Sequence, residues 1–290
     1  MAQTAIVTGG TGGLGAAVTE AFVGAGWQVV VPWIVEKELS RVRADERVEL
    51  VRADLMDPDG AAAVVAAAGG APAALVNLVG GFAAGGRAHE TPVEDFEAQL
   101  RLNLRPTFLM CAAAIPAMLD AGRGAIVCVS SRAALQPFPG AAGYAASKRA
   151  VLGFVDALDA EYRDDGIRVN AIIPSVIDTP ANRAAMPDAD FSRWVQPSAI
   201  ATVVRFLCSD DASPISGGHV PVYRTPASTT MPAHGQVFLG NSAAIGANLR
   251  SLAGGDFNHL ATSFYRFVTK QVVKERPGGI IHRLCQPPTG

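Results

Sequence analysis

The sequence predicts an α/β protein built on a doubly wound parallel sheet with helices on both faces. Predicted strands and helices alternate about seven times over residues 4–223, which is typical of a parallel sheet. The predicted second strand, Gln28–Val31, is a continuous apolar run, as expected for a parallel strand covered on both faces. Polar residues and glycines follow several predicted strands at their carboxyl ends, where ligands bind in such sheets.

The predicted elements follow the period of their apolar residues and the turn residues between them. One alanine-rich helix covers residues 61–68, and a polar segment after the sixth strand, Asp178–Trp194, is predicted to be mobile. The predicted strands cover residues 4–8, 28–31, 48–51, 74–79, 125–130, 167–173 and 220–223, and the longer helices cover residues 92–119, 145–163 and 197–207.

The composition argues against several classes of partner. The chain has 290 residues, 49% hydrophobic and 17% charged, and a formal net charge of −2 without a lysine or arginine cluster. Nucleic acid and anionic membranes are therefore not expected partners. No apolar run reaches the ~18 residues that span a bilayer. The N-terminus shows no signal peptide, so we expect a cytoplasmic protein.

The cysteines and histidines do not have the spacing of metal ligands. Cys111, Cys128 and Cys208 lie in apolar runs and are predicted to be reduced core residues, and Cys285 is remote from them. The five histidines are equally dispersed. The sequence therefore predicts no metal site.

A glycine-rich stretch, Thr8–Gly15, separates the first predicted strand from the first predicted helix. Glycines let the backbone approach a pyrophosphate, and the helix N-terminus supplies amide donors and a favourable dipole. A tight turn alone explains such a stretch equally well. Its position between a strand and a helix favours dinucleotide binding.

The end of the second strand leaves the choice between NAD and NADP open. An acid at this place usually binds the adenosine ribose hydroxyls, whereas an arginine suits a 2′-phosphate. Here the strand continues into Pro32–Val35, and the nearest acids are Glu36 and Glu38. Lys37 and Arg41 either face a phosphate or are solvated helix charges.

Three polar residues follow or lie between the next strands. Asp54 either binds the adenine amino group or caps the next helix, and Asp57-Pro58 also has the pattern of a helix start. The fourth strand ends in Asn77-Leu78-Val79-Gly80, where glycine again marks a ligand-binding edge. Asn103 lies among leucines in the helix predicted for residues 92–119 and needs hydrogen-bond partners, at a helix bend, a water chain or a broken turn.

Tyr144 and Lys148 are four residues apart on a predicted helix, so they share one face. A phenol titrates near pH ~10, and a fixed cation beside it favours the phenolate and brings its proton within reach of a reaction. Ser131, at the end of the fifth strand, is placed to hold a substrate carbonyl or imine. The alternative is a surface tyrosine and lysine that share a face by chance.

As a set, these residues make the sequence similar to the classical short-chain dehydrogenase/reductases over residues 4–224. The Thr8–Gly15 stretch resembles the cofactor loop of that family, and Asn77–Gly80 resembles its Asn-Asn-Ala-Gly motif. Its catalytic tetrad is matched in order and spacing by Asn103, Ser131, Tyr144 and Lys148.

The resemblance implies a Rossmann-type fold and an NAD(P)H-dependent oxidoreductase acting on a small-molecule carbonyl, imine or pterin as a homodimer or homotetramer. In that family the tyrosine is the general acid, and the serine orients the substrate oxygen. The lysine binds the nicotinamide ribose and lowers the tyrosine pKa. The asparagine holds a water molecule of the proton relay. A nucleotide-binding sensor or scaffold without turnover is the alternative. The resemblance implies cofactor contacts at Gly9, Thr11, Gly13, Leu14, Gly15, Asp54, Leu55, Asn77, Gly80, Tyr144, Lys148, Pro174, Val176 and Thr179.

A narrower resemblance concerns the substrate loop. Asp178–Trp194 resembles the substrate loop of quinonoid dihydropteridine reductases. Two further segments, Gly80–Gly86 and Trp27–Glu38, resemble the corresponding segments of those enzymes. Around Trp33 the acidic residue of that branch is replaced, and this chain carries the full tetrad of a general carbonyl reductase.

The sequence predicts two parts. Residues 1–224 form the nucleotide-binding domain, and residues 225–290 form a C-terminal extension without a motif. The extension is rich in proline, serine, threonine and glycine and contains one amphipathic stretch, Phe257–Val273. A tail, an arm on a neighbouring subunit and a fusion segment all fit this composition.

Overall fold

A parallel sheet forms the centre of the computed structural model, which describes residues 3–224. In chain order its strands are β1 (Thr4–Thr8), β2 (Gln28–Trp33), β3 (Val48–Arg52), β4 (Ala74–Asn77), β5 (Gly124–Val129), β6 (Ile167–Pro174) and β7 (His219–Val222). Their order across the sheet is β3-β2-β1-β4-β5-β6-β7, and neighbouring strands are parallel. The chain winds from the centre to one edge and then to the other, which confirms the predicted doubly wound sheet.

Two layers of helices cover this sheet. They are α1 (Gly15–Gly24), α2 (Pro58–Ala67), α3 (Val93–Asp120), α4 (Ala142–Tyr162), α5 (Pro180–Ala185) and α6 (Pro197–Cys208). α1 packs against α6 in one layer, and α3 packs against both α2 and α4 in the other. The short α5 belongs to the connection that follows β6.

The core lies between the sheet and the α2–α3–α4 layer. Strand residues such as Ile6, Leu75 and Ile126 are completely buried and meet Met110 and Met118 of α3. Burial of a side chain of this size contributes about 1.5–3 kcal/mol. This packing fixes the strand ends from which the loops of the site emerge.

The start of α2 decides between the two interpretations of the acids after β3. The Asp57 side chain accepts a hydrogen bond from the Asp59 amide at 3.0 Å, with Pro58 at the first helical position. The Asp54 carboxylate instead accepts from the Met56 amide at 2.9 Å. Asp57 is therefore the cap, and the cap interpretation of Asp54 is wrong.

Helix α3 runs without interruption through Pro106 and Pro116, so Asn103 does not cap a broken turn. By length and composition alone it is long and apolar enough to cross a membrane. Its buried residues pack against the sheet and the neighbouring helices, as in the core helix of a globular domain. Length and composition therefore do not make it a membrane span.

The connection Asp178–Trp194, predicted to be mobile, has a defined structure. It contains α5 and a 3₁₀ turn at Phe191–Arg193, and its ends meet where the Asp178 amide donates to the Val195 carbonyl at 2.9 Å. Hydrogen bonds from Arg183 and then Gln196 lower the pKa of Asp178 to about 2. The prediction missed these contacts because ion pairs between nearby residues leave no periodic signal.

The buried cysteines agree with the sequence interpretation. Cys111, Cys128 and Cys208 are free and buried, and the neighbouring Cys128 and burial raise the pKa of the Cys111 thiol. Within residues 3–224 no group of acids, histidines and cysteines has the geometry of a metal site. Cys285 and the predicted extension, residues 225–290, lie outside the described residues.

Candidate active site

The loop between β1 and α1 is packed so closely that several of its positions require glycine. Gly9 has a φ of +65°, a left-handed conformation that disfavours other residues. A Cβ at Gly15 would lie 1.9 Å from the Gly9 carbonyl oxygen, and one at Gly10 would lie 2.7 Å from the Val31 side chain. The glycines therefore bring the start of α1 against the end of β1.

The amino end of α1 fits a pyrophosphate. Leu14 precedes the helix, no side chain caps its first turn within the described residues, and that turn contains no acid. Uncapped helix amides and the helix dipole attract anions. The dinucleotide predicted from the sequence therefore fits this loop.

Thr179 faces the same loop from the connection after β6. A Cβ at Gly13 would lie 3.0 Å from the Thr179 side chain, so only glycine leaves this space free. Thr179 also accepts from the Asn182 amide at 3.2 Å, which starts α5. The structure thus brings Gly13 and Thr179, both predicted cofactor contacts, to one place.

An ion pair after β2 reaches the glycine loop. The Thr11 hydroxyl donates to the Glu38 carboxylate at 3.2 Å, and Arg41 bonds the same carboxylate at 2.9 Å and the Thr11 carbonyl at 3.4 Å. The sequence named Glu38 only as a nearby acid and left Arg41 undecided. Both lie beside the loop because the 3₁₀ segment Glu36–Arg41 turns back towards it.

Trp33 stands at the carboxyl end of β2, opposite Arg52 of β3. The Arg52 guanidinium carbon lies 5.9 Å from the centre of the Trp33 ring, a cation–π distance. The position where an acid was expected thus carries an aromatic–arginine pair. Lys37, the other candidate cation, is exposed.

Two predicted cofactor residues have side chains that point into the core. Asn77 is buried, its amide nitrogen lies 3.4 Å from the Cys111 sulfur, and its side-chain oxygen has no partner among the described residues. Leu55 belongs to the hydrophobic core cluster. The contacts of Asn77 and Leu55 with a cofactor stay predictions. The adenine role of Asp54, which is exposed, stays a prediction.

Asn103 ties α3 to the loop after β4. Its side-chain oxygen accepts from the Gly81 amide at 3.0 Å, and its nitrogen donates to the Gly81 carbonyl at 3.1 Å and to the Gln99 carbonyl at 3.0 Å. The buried Asn103 amide therefore has the hydrogen-bond partners that the sequence analysis predicted. Neither a helix bend nor a broken turn is needed to explain it.

Lys148 meets Asn103 at Gly80. A Cβ at Gly80 would lie 2.6 Å from the Asn103 oxygen and 2.9 Å from the Lys148 ammonium nitrogen. That nitrogen donates to the Val129 carbonyl at 3.1 Å. Burial lowers the pKa of Lys148 to about 8. Asn103 and Lys148, two members of the predicted tetrad, thus converge on Gly80, where a side chain would clash with both.

Tyr144 and Ser131 form the other half of the tetrad. Ser131 follows β5, and Tyr144 lies in the first turn of α4, which begins at Ala142. Burial raises the pKa of Tyr144, while a hydrogen bond with the Ser131 hydroxyl opposes the rise. The sequence predicted that the pKa of Tyr144 is lowered, and the structure gives the opposite direction. Burial disfavours the charged phenolate, and this effect is larger than that of the contact with Ser131. Tyr144 therefore keeps its proton at neutral pH.

Pro174 and Val176 lie where the chain leaves the sheet. Pro174 ends β6 and pairs with Val222, and the Val176 carbonyl accepts from the Val195 amide at 2.9 Å. They place the connection to α5 at the carboxyl edge of the sheet. Their contacts with a cofactor stay predictions.

Three further residues shape the site without having been predicted to do so. The Thr8 hydroxyl accepts from the Leu78 amide at 3.1 Å and joins the loops after β1 and β4. The Ser130 hydroxyl donates to the Lys148 carbonyl at 2.8 Å and joins β5 to α4. Phe82 lies edge-on to the Tyr144 ring. Only the positions of Thr8 and Ser130 at strand ends gave a sequence signal.

Comparison with known proteins agrees with this geometry. The sequence profile described as short chain dehydrogenase matches residues 3–190. The 2-(R)-hydroxypropyl-CoM dehydrogenase of Xanthobacter autotrophicus is 34% identical over 241 residues, which cover 75% of this chain and 95% of that protein. The chain belongs to the short-chain dehydrogenase/reductase family. The resemblance inferred from the sequence is confirmed.

Solved structures of this family superpose on the chain. A 3-ketoacyl-(acyl-carrier-protein) reductase from Brucella melitensis, complexed with NADH, has a TM-score of 0.68 at 29% identity over 76% of this chain and 96% of its own. ElxO with NADP bound has a TM-score of 0.71 at 24% identity over 77% and 97%, a likeness of fold alone. Family membership makes this short-chain dehydrogenase an NAD(P)-dependent oxidoreductase.

We expect Glu38→Gln to shift cofactor preference towards NADPH. The Glu38 carboxylate lies beside the phosphate-binding loop and holds Arg41, so its loss removes a repulsive charge and releases a cation for a 2′-phosphate. The ratio of NADPH to NADH affinity should rise roughly threefold to tenfold. Fluorescence titration of each cofactor measures it.

Glu94→Gln is the matched control, since Glu94 is an exposed acid in the first turn of α3. It should leave both affinities unchanged. Equal changes of the NADH and NADPH affinities in Glu38→Gln would show that Glu38 supports only the loop conformation.

We expect Lys148→Met to flatten the pH dependence of stability above pH 8. Because the pKa of Lys148 is about 8 when folded and its ordinary value is 10.5, the unfolded chain binds more protons between these values. The free energy of unfolding contributed by this group therefore rises with pH across that window, by roughly 3 kcal/mol.

Urea denaturation at pH 7 to pH 11 measures this difference between wild type and variant. The exposed Lys37→Met is the control and should follow the wild type. Parallel curves for wild type and Lys148→Met would contradict a depressed lysine pKa.

Proposed function

We propose that this short-chain dehydrogenase reduces a C=O or C=N group with Tyr144 as the proton donor. The observation that carries the proposal is the convergence of three predicted tetrad residues at the carboxyl edge of the sheet. Buried Lys148 lies one helical turn from Tyr144 and donates to the Val129 carbonyl at the end of β5, from which the chain continues to Ser131. Two hydroxyls on neighbouring elements can hold one substrate oxygen between them.

The proposed reaction divides the work between cofactor and protein. When bound, the nicotinamide cofactor supplies the hydride that reduces the substrate carbon. Tyr144 donates its phenolic proton to the substrate oxygen or nitrogen, which leaves a phenolate. Its raised pKa means that the proton is present at neutral pH and is readily lost only to a more basic atom.

The surroundings of Tyr144 support the phenolate that this step forms. Tyr144 lies in the first turn of α4, where the helix dipole favours negative charge, and that turn contains no acid. The Lys148 ammonium is charged below pH about 8 and adds a favourable cation to the site. In this proposal Asn103 orders the route by which Tyr144 regains its proton.

Ser131 orients the substrate in the same proposal. Its side-chain oxygen accepts from the Ala133 amide at 3.2 Å, which fixes the hydroxyl at the start of a 3₁₀ turn. The hydroxyl hydrogen then remains for the substrate oxygen. This arrangement suits a carbonyl or an imine equally, because both present a lone pair to the two hydroxyls.

The connection Asp178–Trp194 makes quinonoid dihydropterin a specific substrate to test. Within it Phe191 packs against Trp194 with ring centres 4.7 Å apart, and the Arg183 guanidinium carbon lies 4.7 Å from the Phe191 ring centre. Trp194 is buried, so half-buried Phe191 and exposed Arg183 are the aromatic and cationic groups that this segment offers to a flat heterocycle. The resemblance of this segment to the dihydropteridine reductase loop points in the same direction.

We also propose that the protein is a homo-oligomer. Phe108 is 50% exposed on α3 and packs against Phe154 of α4, with ring centres 5.9 Å apart. An exposed phenylalanine that packs on a half-buried one of the adjacent helix suits packing against the same face of a second copy. Light scattering of wild type and Phe108→Asp tests this assignment, since a buried carboxylate would dissociate such an interface.

We expect Tyr144→Phe to lower kcat about 10²- to 10⁴-fold while cofactor affinity stays unchanged, because the variant loses only the acidic proton. Oxidation of NADH and of NADPH is followed separately, with quinonoid dihydropterin and a panel of simple ketones as acceptors. Tyr162→Phe, at the end of the same helix, is the control and should keep full turnover.

Each outcome of this experiment assigns a different function. Pterin turnover that depends on Tyr144 would make the protein a dihydropteridine-type reductase, and ketone turnover alone would make it a general carbonyl reductase. Turnover that survives in Tyr144→Phe would refute the proposed acid. Cofactor binding without any turnover in the wild type would favour a nucleotide sensor.

A further inference from the structure

Two aromatic side chains are exposed together beside the site. Phe82 is 60% exposed and Phe138 is 47% exposed. Phe82 belongs to the loop after β4, and Phe138 belongs to the segment between β5 and α4. Adjacent exposed apolar groups of this size mark a binding surface. We call these two residues the aromatic wall.

The aromatic wall is in contact with the proposed proton donor. The Phe82 and Tyr144 ring centres are 4.9 Å apart with the ring planes perpendicular, and the Phe82 and Phe138 ring centres are 6.2 Å apart. A substrate whose oxygen is held by Tyr144 must therefore place its adjoining substituent near Phe82. The wall therefore adjoins the group that donates the proton.

A backbone hydrogen bond holds the two segments of the wall together. The Gly85 amide donates to the Gly140 carbonyl at 2.9 Å. Gly140 has a φ of +82°, and a Cβ there would lie 2.4 Å from the Gly85 carbonyl oxygen. Gly140 is thus needed for the close approach, which sets the spacing of Phe82 and Phe138.

The wall lacks groups that would bind a charged or strongly hydrated substituent. Residues 80–86 and 133–141 contain no charged residue. Two arginines flank these segments. Arg132 is directed at Tyr223, with its guanidinium carbon 5.8 Å from that ring centre, and the exposed Arg87 follows Gly86 at the end of the first segment. A phosphate, a carboxylate or a polyol chain against this wall would lose its hydration without gaining a partner.

We propose that the aromatic wall selects carbonyl substrates with an aryl or other apolar ring next to the reacting carbon. The inference rests on the proposed function, since it assigns the substrate class of the same site. The ring packs against Phe82 and Phe138, while the carbonyl oxygen meets Tyr144 and Ser131. Aromatic pairs of this kind favour edge-to-face or offset contacts, which the perpendicular Phe82–Tyr144 arrangement leaves available on the open face of Phe82.

The test compares acetophenone with acetone, two ketones that differ by a ring. We expect Phe82→Ala and Phe138→Ala each to lower the ratio of kcat/KM for acetophenone to that for acetone about threefold to tenfold. Most of the change should appear in KM for acetophenone, because the contact binds ground state and transition state alike. Acetone turnover of Phe138→Ala, which leaves the Phe82–Tyr144 contact in place, should stay within about twofold of the wild type.

Leu119→Ala is the control. Leu119 is also an exposed apolar residue, at 38%, but it belongs to the last turn of α3 rather than to either segment of the wall. In this variant the ratio of kcat/KM for acetophenone to that for acetone should equal the ratio of the wild type. Light scattering of all three variants shows whether any substitution changes the assembly instead of the substrate contact.

Three results would overturn the proposal. An unchanged ratio in both wall variants would show that the ring does not contact the wall, and an equal loss for both ketones would show that the wall only positions Tyr144. A change of assembly in Phe82→Ala would assign the surface to contact between copies of the chain.

A binding measurement separates this proposal from the proposed function. Acetophenone binding to wild type and wall variants is followed by ligand-observed NMR in the presence of NAD⁺ or NADP⁺, where no reduction takes place. Weaker acetophenone binding in the wall variants supports the proposed ring contact even if the wild type reduces no ketone. Unchanged acetophenone binding refutes the proposed ring contact even if ketone turnover depends on Tyr144.

Discussion

The pairing of Asn103 with Gly81 is the contact on which the rest of the site depends. One buried carboxamide satisfies both the amide and the carbonyl of Gly81, so it fixes the loop after β4 against α3 at two points. That loop carries Gly80, against which Lys148 rests, and Phe82, which touches Tyr144. Loss of the pair would leave the Gly81 amide and carbonyl without these partners at a half-buried position, at a cost for each group below the ~1–3 kcal/mol of a fully buried one.

Burial then sets the protonation of the two central residues. It disfavours the charged form of each, so the pKa of Tyr144 rises and that of Lys148 falls. Lys148 therefore loses its proton first as the pH rises, and at neutral pH the pair consists of a phenol and an ammonium ion. The family resemblance alone suggested the opposite direction for the tyrosine, since it includes the nearby cation but not the desolvation in this chain.

The sequence predicts the fold well because its signals are local and repeated. Apolar strands such as Gln28–Val31 and the alternation with helices define the sheet, and the spacing of Tyr144 and Lys148 identifies the site. Contacts between distant segments could not be predicted: Glu38 with Thr11 spans 27 residues, and Asn77 with Cys111 spans 34. Neither periodicity nor a motif encodes such pairs. The cytoplasmic location and the form of residues 225–290 stay predictions.

The aromatic wall is separate from the machinery that it adjoins. Its two segments leave the sheet after β4 and β5 and are joined to each other by backbone atoms of Gly85 and Gly140. Side chains at Phe82 and Phe138 can therefore be exchanged while the hydrogen bonds of Asn103, Ser131 and Lys148 remain in place. Such an arrangement lets substrate range drift in evolution without loss of the chemistry, and it gives protein engineers two positions at which saturation mutagenesis can alter selectivity.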